Sequence, residues 1–133
     1  MSRPLYVDTS ALVPIARDET YTEWAIARLS GQTLMSSVIA EIELARFAHR
    51  VDVDDAKVEE ISSKLTTLAV SDGVIQAAKV VSGRLKSLDA IHLGTWAQAR
   101  AFGLDCDFVT ADRRLVAAAR DIGARVIHPF AEV

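Results

Sequence analysis

The chain has 133 residues, 50% of them hydrophobic and 25% charged, with a formal net charge of -3 at pH 7. This length corresponds to one domain burying roughly two-thirds of its unfolded surface, and the composition excludes a disordered chain. The negative balance weighs against a protein that simply coats nucleic acid, and no apolar run reaches the ~18 residues of a membrane span.

Short runs of β-formers alternate with stretches of helical spacing. "PLYV" (4–7) predicts the first strand, followed by helical spacing over 9–17 and 21–30. "TLMS" (33–36) predicts the second, with helices over 37–50 and 53–65. "TLAV" (67–70) is the third expected strand, followed by helices over 73–86 and 89–102. "DFVTA" (107–111), a helix over 113–122 and a last strand "ARVIH" (124–128) complete the pattern. Gly31, Gly103 and Gly123 fall just past helical stretches, where a left-handed residue suits glycine. There is no repeat, low-complexity tract or linker, so residues 1–133 are expected to form one domain of the α/β class. Strands separated by helices imply right-handed crossovers and a mainly parallel sheet flanked by helices on both faces.

The only cysteine, Cys106, allows no internal disulfide, and no basic-then-apolar leader stands at the N-terminus. The expected compartment is the cytoplasm. His49, His92 and His128 are scattered singly, fit no zinc spacing, and read as surface or packing residues.

In parallel sheets, ligands bind beyond the carboxyl ends of the strands near a topological switch point. Asp8 stands at that end of the first strand, in "LYVDTSALV", and Asp112 at that end of "DFVTA". Asp105 and Asp107 lie at the opposite end, since five residues at about 3.3 Å each separate Asp107 from Asp112 by roughly 16 Å. In "SSVIAEIELARFAHR", Glu41 and Glu43 are about 200° apart round a helix and cannot serve one site together. Glu43 shares its side with Arg46 and Arg50, which suits either a groove lining or a solvated ion-pair face. Asp89 begins the apolar helix "LDAIHLGTWAQA", where Ile91, Leu93, Trp96 and Ala97 are expected to pack inward.

Singly, Asp8, Asp89 and Asp112 read as helix caps or first-turn acids. Gathered together, they and Glu43 would repel one another unless a cation joined them. Oxygen-only ligands select hard divalent ions, Mg²⁺ or Mn²⁺, and such ions assist phosphoryl chemistry. No "GxxxxGK" or "GxGxxG" loop argues for nucleotide binding. Ser10 stands where a dehalogenase-like hydrolase would need a second aspartate, and a receiver's acidic pair and lysine are lacking.

Taken together, "VDTSALV", "SSVIAEIELAR", "LKSLDAIHLGTW" and "FVTADRRL", in this order and spacing, resemble the PIN domain family. More narrowly, they are similar to the VapC-type toxins of bacterial toxin–antitoxin pairs. The resemblance runs from Leu5 to about Ile127. It implies a parallel sheet flanked by helices and a Mg²⁺- or Mn²⁺-dependent endoribonuclease. The family's catalytic, metal-binding acids fall on Asp8, Glu43, Asp89 and Asp112, with Leu44 and Arg46 completing the pattern after the glutamate. Asp8 and Asp112 would hold the principal ion, and Glu43 and Asp89 would complete its shell or hold its waters. Thr9, Ser10 and Thr110 take the supporting small-hydroxyl positions, and Arg46, Arg50, Arg113 and Arg114 could hold RNA phosphates. The implied partners are a structured RNA, a cognate VapB-type antitoxin and a second copy of the chain, with no membrane. An RNA-processing PIN nuclease that is not a toxin, and a non-catalytic PIN-like scaffold, are the alternatives.

Overall fold

The computed structural model describes residues 3–131; residues 1, 2, 132 and 133 of the expected domain lie outside them. Five strands form one parallel sheet: β1 (Leu5–Val7), β2 (Leu34–Ser37), β3 (Leu65–Leu68), β4 (Asp107–Val109) and β5 (Val126–Ile127). Their spatial order is β3-β2-β1-β4-β5, so the chain reverses its direction of travel across the sheet between β1 and β4. Leu5 pairs with Leu34 on one side and with Asp107 on the other, and Val7 pairs with Val109. The carboxyl ends of β1 and β4 therefore lie side by side at the switch point.

Alternation along β1 separates two cores. Leu5 and Val7 face α1 (Thr9–Ala16), α2 (Thr22–Leu29), α3 (Ile39–Val51) and α4 (Asp55–Ser63), and pack with Leu12, Leu29, Leu44, Phe47 and Ile61. Tyr6 and Phe108 face the other way, toward Leu93 and Trp96 of α6 (Ser87–Ala101) and Leu115 of α7 (Arg113–Asp121). Helices thus cover both faces, as expected. The remaining helix, α5 (Asp72–Lys79), lies against α6 at close range. A Cβ on Gly94 would fall 2.7 Å from the Val74 carbonyl oxygen and 2.9 Å from the Ala78 nitrogen, so only glycine admits this approach.

Gly31, Gly103 and Gly123 have φ of +74, +92 and +94°, the left-handed conformation expected after a helix. Two expected boundaries are corrected. The third strand is Leu65–Leu68, two residues earlier than 67–70. The spacing of Val58, Ile61 and Leu65 looks helical, but Lys64 caps α4 and Leu65 pairs with Leu34 in the sheet. The helix expected over 73–86 ends at Lys79. There Ser82 turns the chain, its carbonyl accepting from the Leu85 N–H, and Val81 and Leu85 drop onto the second core while Val80 is left 84% exposed. Val80, Val81 and Leu85 therefore do not share one helical surface. No helix among the described residues is long and apolar enough to cross a membrane.

Candidate active site

At the switch point the chain leaves β1 through Asp8 and enters α1. Asp8 is the N-cap of α1, accepting from the Ser10 N–H at 3.2 Å and from the Ser10 hydroxyl at 2.7 Å. It is also 3% exposed. Burial holds its carboxyl above the usual carboxylate range, and the nearby His92 and the hydroxyls of Ser10 and Thr110 offset this only in part. Asp112 repeats the arrangement after β4, capping α7 by accepting from the Arg114 N–H at 2.9 Å. The two loops are laced together. The Ser10 hydroxyl accepts from the Ala111 N–H at 2.9 Å and meets the Thr110 hydroxyl at 3.2 Å, while Thr110 Oγ1 accepts from the Asp112 N–H at 3.1 Å.

Glu43 approaches from α3. Its Oε1 accepts from the Thr9 hydroxyl at 2.8 Å and lies 2.8 Å from His92 Nε2. Burial pushes this carboxyl up, but the hydrogen bond and charge of His92, with the Thr9 hydroxyl, bring it below its ordinary value. Asp89, in the first turn of α6, is half-buried. Burial raises its carboxyl, and then Asp112 and Glu43 raise it further against Arg114 and His92. The acids therefore influence one another through space, as clustered carboxylates must.

Asp8, Glu43, Asp89 and Asp112 all line one groove of about 350 Å³, together with Thr9, Ser10, Arg46 and Arg50. The structure brings the four sequence-selected acids to one rim and leaves Glu41 exposed on the far side of α3. Asp105 and Asp107 sit at the opposite pole, bonded to Arg3 and Arg125 at 2.9 to 3.0 Å. The three hydroxyl residues each hold an acid or its backbone. Among the arginines, Arg114 lies 3.4 Å from Asp112, whereas Arg113 stacks over Phe130 at 4.4 Å from its centroid. Part of the groove is apolar and open to solvent, with Ile42 61% and Leu88 48% exposed.

His92 is the site neighbour that sequence reading missed. It is 1% exposed and bonded at both nitrogens, with Tyr6 Oη 2.8 Å from Nδ1 and Glu43 2.8 Å from Nε2. Burial keeps the Tyr6 phenol far above its ordinary pKa. In the neutral ring the phenol donates to Nδ1 and Nε2–H donates to the carboxylate; in the charged ring Nε2–H still faces Glu43. The available signal was its position, three residues after Asp89 on one helical face. His49 is a surface residue outside the groove beside Asp55, and His128 is a half-buried packing residue stacked on Phe130, as expected of one or the other.

Among the described residues, no three of His, Cys, Asp and Glu converge closely enough to enclose an ion as they stand. The donor set nonetheless fits Mg²⁺ or Mn²⁺. It is all oxygen, and such ions keep several waters and need only one or two carboxylates. The raised carboxyls of Asp8 and Asp89 mark the electrostatic cost that a cation would remove.

Comparison with known proteins identifies the family and the fold. The family model that matches is the PIN domain, over residues 5–121. Ribonuclease VapC35 of Mycobacterium tuberculosis is 32% identical over 131 residues, covering 94% of this chain and 96% of the relative. Ribonuclease VapC47 of the same organism is 31% identical over 135 residues, covering 96% and 98%. A chain of a toxin-antitoxin complex from Klebsiella pneumoniae has the same fold, with a TM-score of 0.73 at 18% identity and coverage of 95% and 98%.

Proposed function

The chain belongs to the PIN domain family, and we propose that its acidic groove makes it a divalent-metal-dependent endoribonuclease serving as the toxin of a toxin–antitoxin pair. The observation that carries this is the gathering of Asp8, Glu43, Asp89 and Asp112 from four separate elements into one groove. Two relatives named as ribonucleases match over nearly their whole length.

Asp8 and Asp112 would hold the principal ion, and Glu43 and Asp89 would complete its shell or hold its waters. Bound Mg²⁺ or Mn²⁺ supplies a water of lowered pKa and a positive charge against the scissile phosphate. Ser10, Thr9 and Thr110 keep the acids oriented, as hydrogen-bonded ligands require. Arg46 and Arg50, in the groove lining, hold phosphates flanking the cut; Arg114 lies beside Asp112, and Arg113, over Phe130, contributes at the rim.

The partner that restrains it is a VapB-type antitoxin. A groove with four acids and the exposed Ile42 and Leu88 suits a segment that offers an Arg or Lys beside apolar side chains. The protein works in the cytoplasm as a homodimer.

Mapping new 5′ ends in total RNA after a short pulse of expression tests the reading, with Asp112→Asn as the control. Discrete cuts from the unmodified protein, suppressed by chelation and absent from the variant, are expected. Harmless expression of the protein alone, with cuts still present and no small partner co-purifying from its host, would favour an RNA-processing nuclease.

A further inference from the structure

Behind the groove, a line of hydrogen bonds crosses three elements. Tyr6, in the middle of β1, is fully buried and its ring stacks on Phe108 at 5.4 Å and 11°. Its hydroxyl meets His92 Nδ1 on α6 at 2.8 Å, and His92 Nε2 meets Glu43 Oε1 on α3 at 2.8 Å. Thr9 of α1 joins at the same point, 2.8 Å from Glu43 Oε1 and 3.3 Å from His92 Nε2. Among the described residues, every hydrogen bond to the Glu43 side chain arrives at Oε1. Resting on the reading that Glu43 belongs to the catalytic centre, we propose that His92 is a positioning residue. Braced by Tyr6, it fixes Glu43 Oε1 so that Oε2 faces the groove.

The geometry favours this over a histidine that merely packs. An imidazole at 1% exposure has no route to RNA or bulk water, so it cannot act on the substrate itself. It does have a defined direction. The edge-on contact with the Tyr6 ring, at 6.0 Å and 76°, sets the imidazole plane. The phenol at Nδ1 then leaves Nε2 as the donor toward the carboxylate. A free glutamate samples several rotamers and loses that freedom on binding an ion; one held at Oε1 has already lost it. The elements joined are the ones that carry acids. Asp8 follows β1, Asp89 stands one turn before His92 on α6, and Glu43 is on α3. The relay thus sets the spacing of three carboxylates from a single buried point.

The test compares His92→Leu, His92→Gln and Tyr6→Phe with Glu43→Gln, reading Mn²⁺ affinity without RNA by calorimetry and kcat and KM on an RNA the unmodified protein cuts. His92→Leu should weaken Mn²⁺ binding and lower kcat by roughly 10- to 100-fold, with KM little changed. Gln can return a donor N–H near the Nε2 position, so His92→Gln should recover most of both losses. Tyr6→Phe should shift both readouts in the same direction by less, and it decides the matter if the leucine variant fails to fold. Normal Mn²⁺ affinity and kcat in a folded His92→Leu variant would overturn the proposal, as would a His92→Gln variant no better than the leucine one. Full activity in Glu43→Gln would instead remove Glu43 from the site, a separate result.

Discussion

The Ser10 hydroxyl lies 3.2 Å from that of Thr110, and this contact ties the loop after β1 to the loop after β4. The same oxygen donates to Asp8 and accepts from the Ala111 N–H. Ser10→Ala therefore removes one of the two Ser10 hydrogen bonds to the Asp8 carboxylate and strands a backbone donor. A loss of about 1–3 kcal/mol in stability is expected, with a drop in cleavage of roughly 10- to 100-fold. Urea titration and initial-rate assays measure the two effects, and an unchanged rate would show that the acid needs no support from this hydroxyl.

Asp8→Asn and Asp112→Asn should each abolish metal-dependent cleavage and keep the fold, because asparagine also caps helices well. Without divalent ions, Asp8→Asn should be the more stable protein, since it removes a buried charge. Asp107→Asn should cut normally. It should lose a few tenths to about 1 kcal/mol of stability through its partly exposed pairs with Arg3 and Arg125. Equal loss of activity in all three variants would mean that the site has been put at the wrong end of the sheet.

Glu43→Gln should lose most activity, whereas the exposed Glu41→Gln should keep it. Glu41→Gln should melt near the parent, whereas Glu43→Gln should lose some stability at neutral pH, because the ionised carboxyl is held by His92 and Thr9. The reverse pattern of rates would shift the site round α3.

Stability against pH carries the signs of the two kinds of acid. Asp8 and Asp89 have raised pKa values in the folded state. Ionising them disfavours the fold, so the ion-free protein gains stability as pH falls from neutral through those raised values. Glu43 has a lowered value, so its contribution is present above the usual glutamate range and is lost as pH falls through that lower point. Stability of the ion-free protein should rise on mild acidification, pass a maximum and then decline. Saturating Mg²⁺ should stabilise more at neutral pH than in acid, because protons compete with the ion for carboxylate oxygens. Thermal melts at a series of pH values, with and without Mg²⁺, check this. A flat ion-free curve between neutrality and the carboxylate range would contradict the raised values.

The strand-end argument was readable from sequence because a parallel strand has only one rim for sites. The chain passes from Val7 straight into Asp8, and from "DFVTA" straight into Asp112. Helix geometry alone said that only one of Glu41 and Glu43 could serve the site; the stripe shared with Arg46 and Arg50, with the family resemblance, pointed to Glu43. Three features were hidden for physical reasons. Leu65 satisfies helical spacing after Val58 and Ile61, yet its backbone pairs in the sheet. Val80 continues an apolar run but points to solvent once Ser82 turns the chain. His92 has the composition of a core residue among Ile91, Leu93 and Trp96. Its role lies in partners 49 and 86 residues away, a separation no local pattern records.

The two ends of the described chain leave from opposite poles. Arg3 is clamped to Asp105 and Asp107 below the sheet, while Phe130 lies under Arg113, one residue from Asp112. A tag or surface tether joined ahead of Arg3 would thus stand clear of the groove. A fusion beginning after Ala131 would emerge at its rim. The first attachment suits immobilising the protein for assays of RNA or of an inhibitory peptide. The second offers a way to hang a peptide on a short leash and deliver it into the groove within the same molecule.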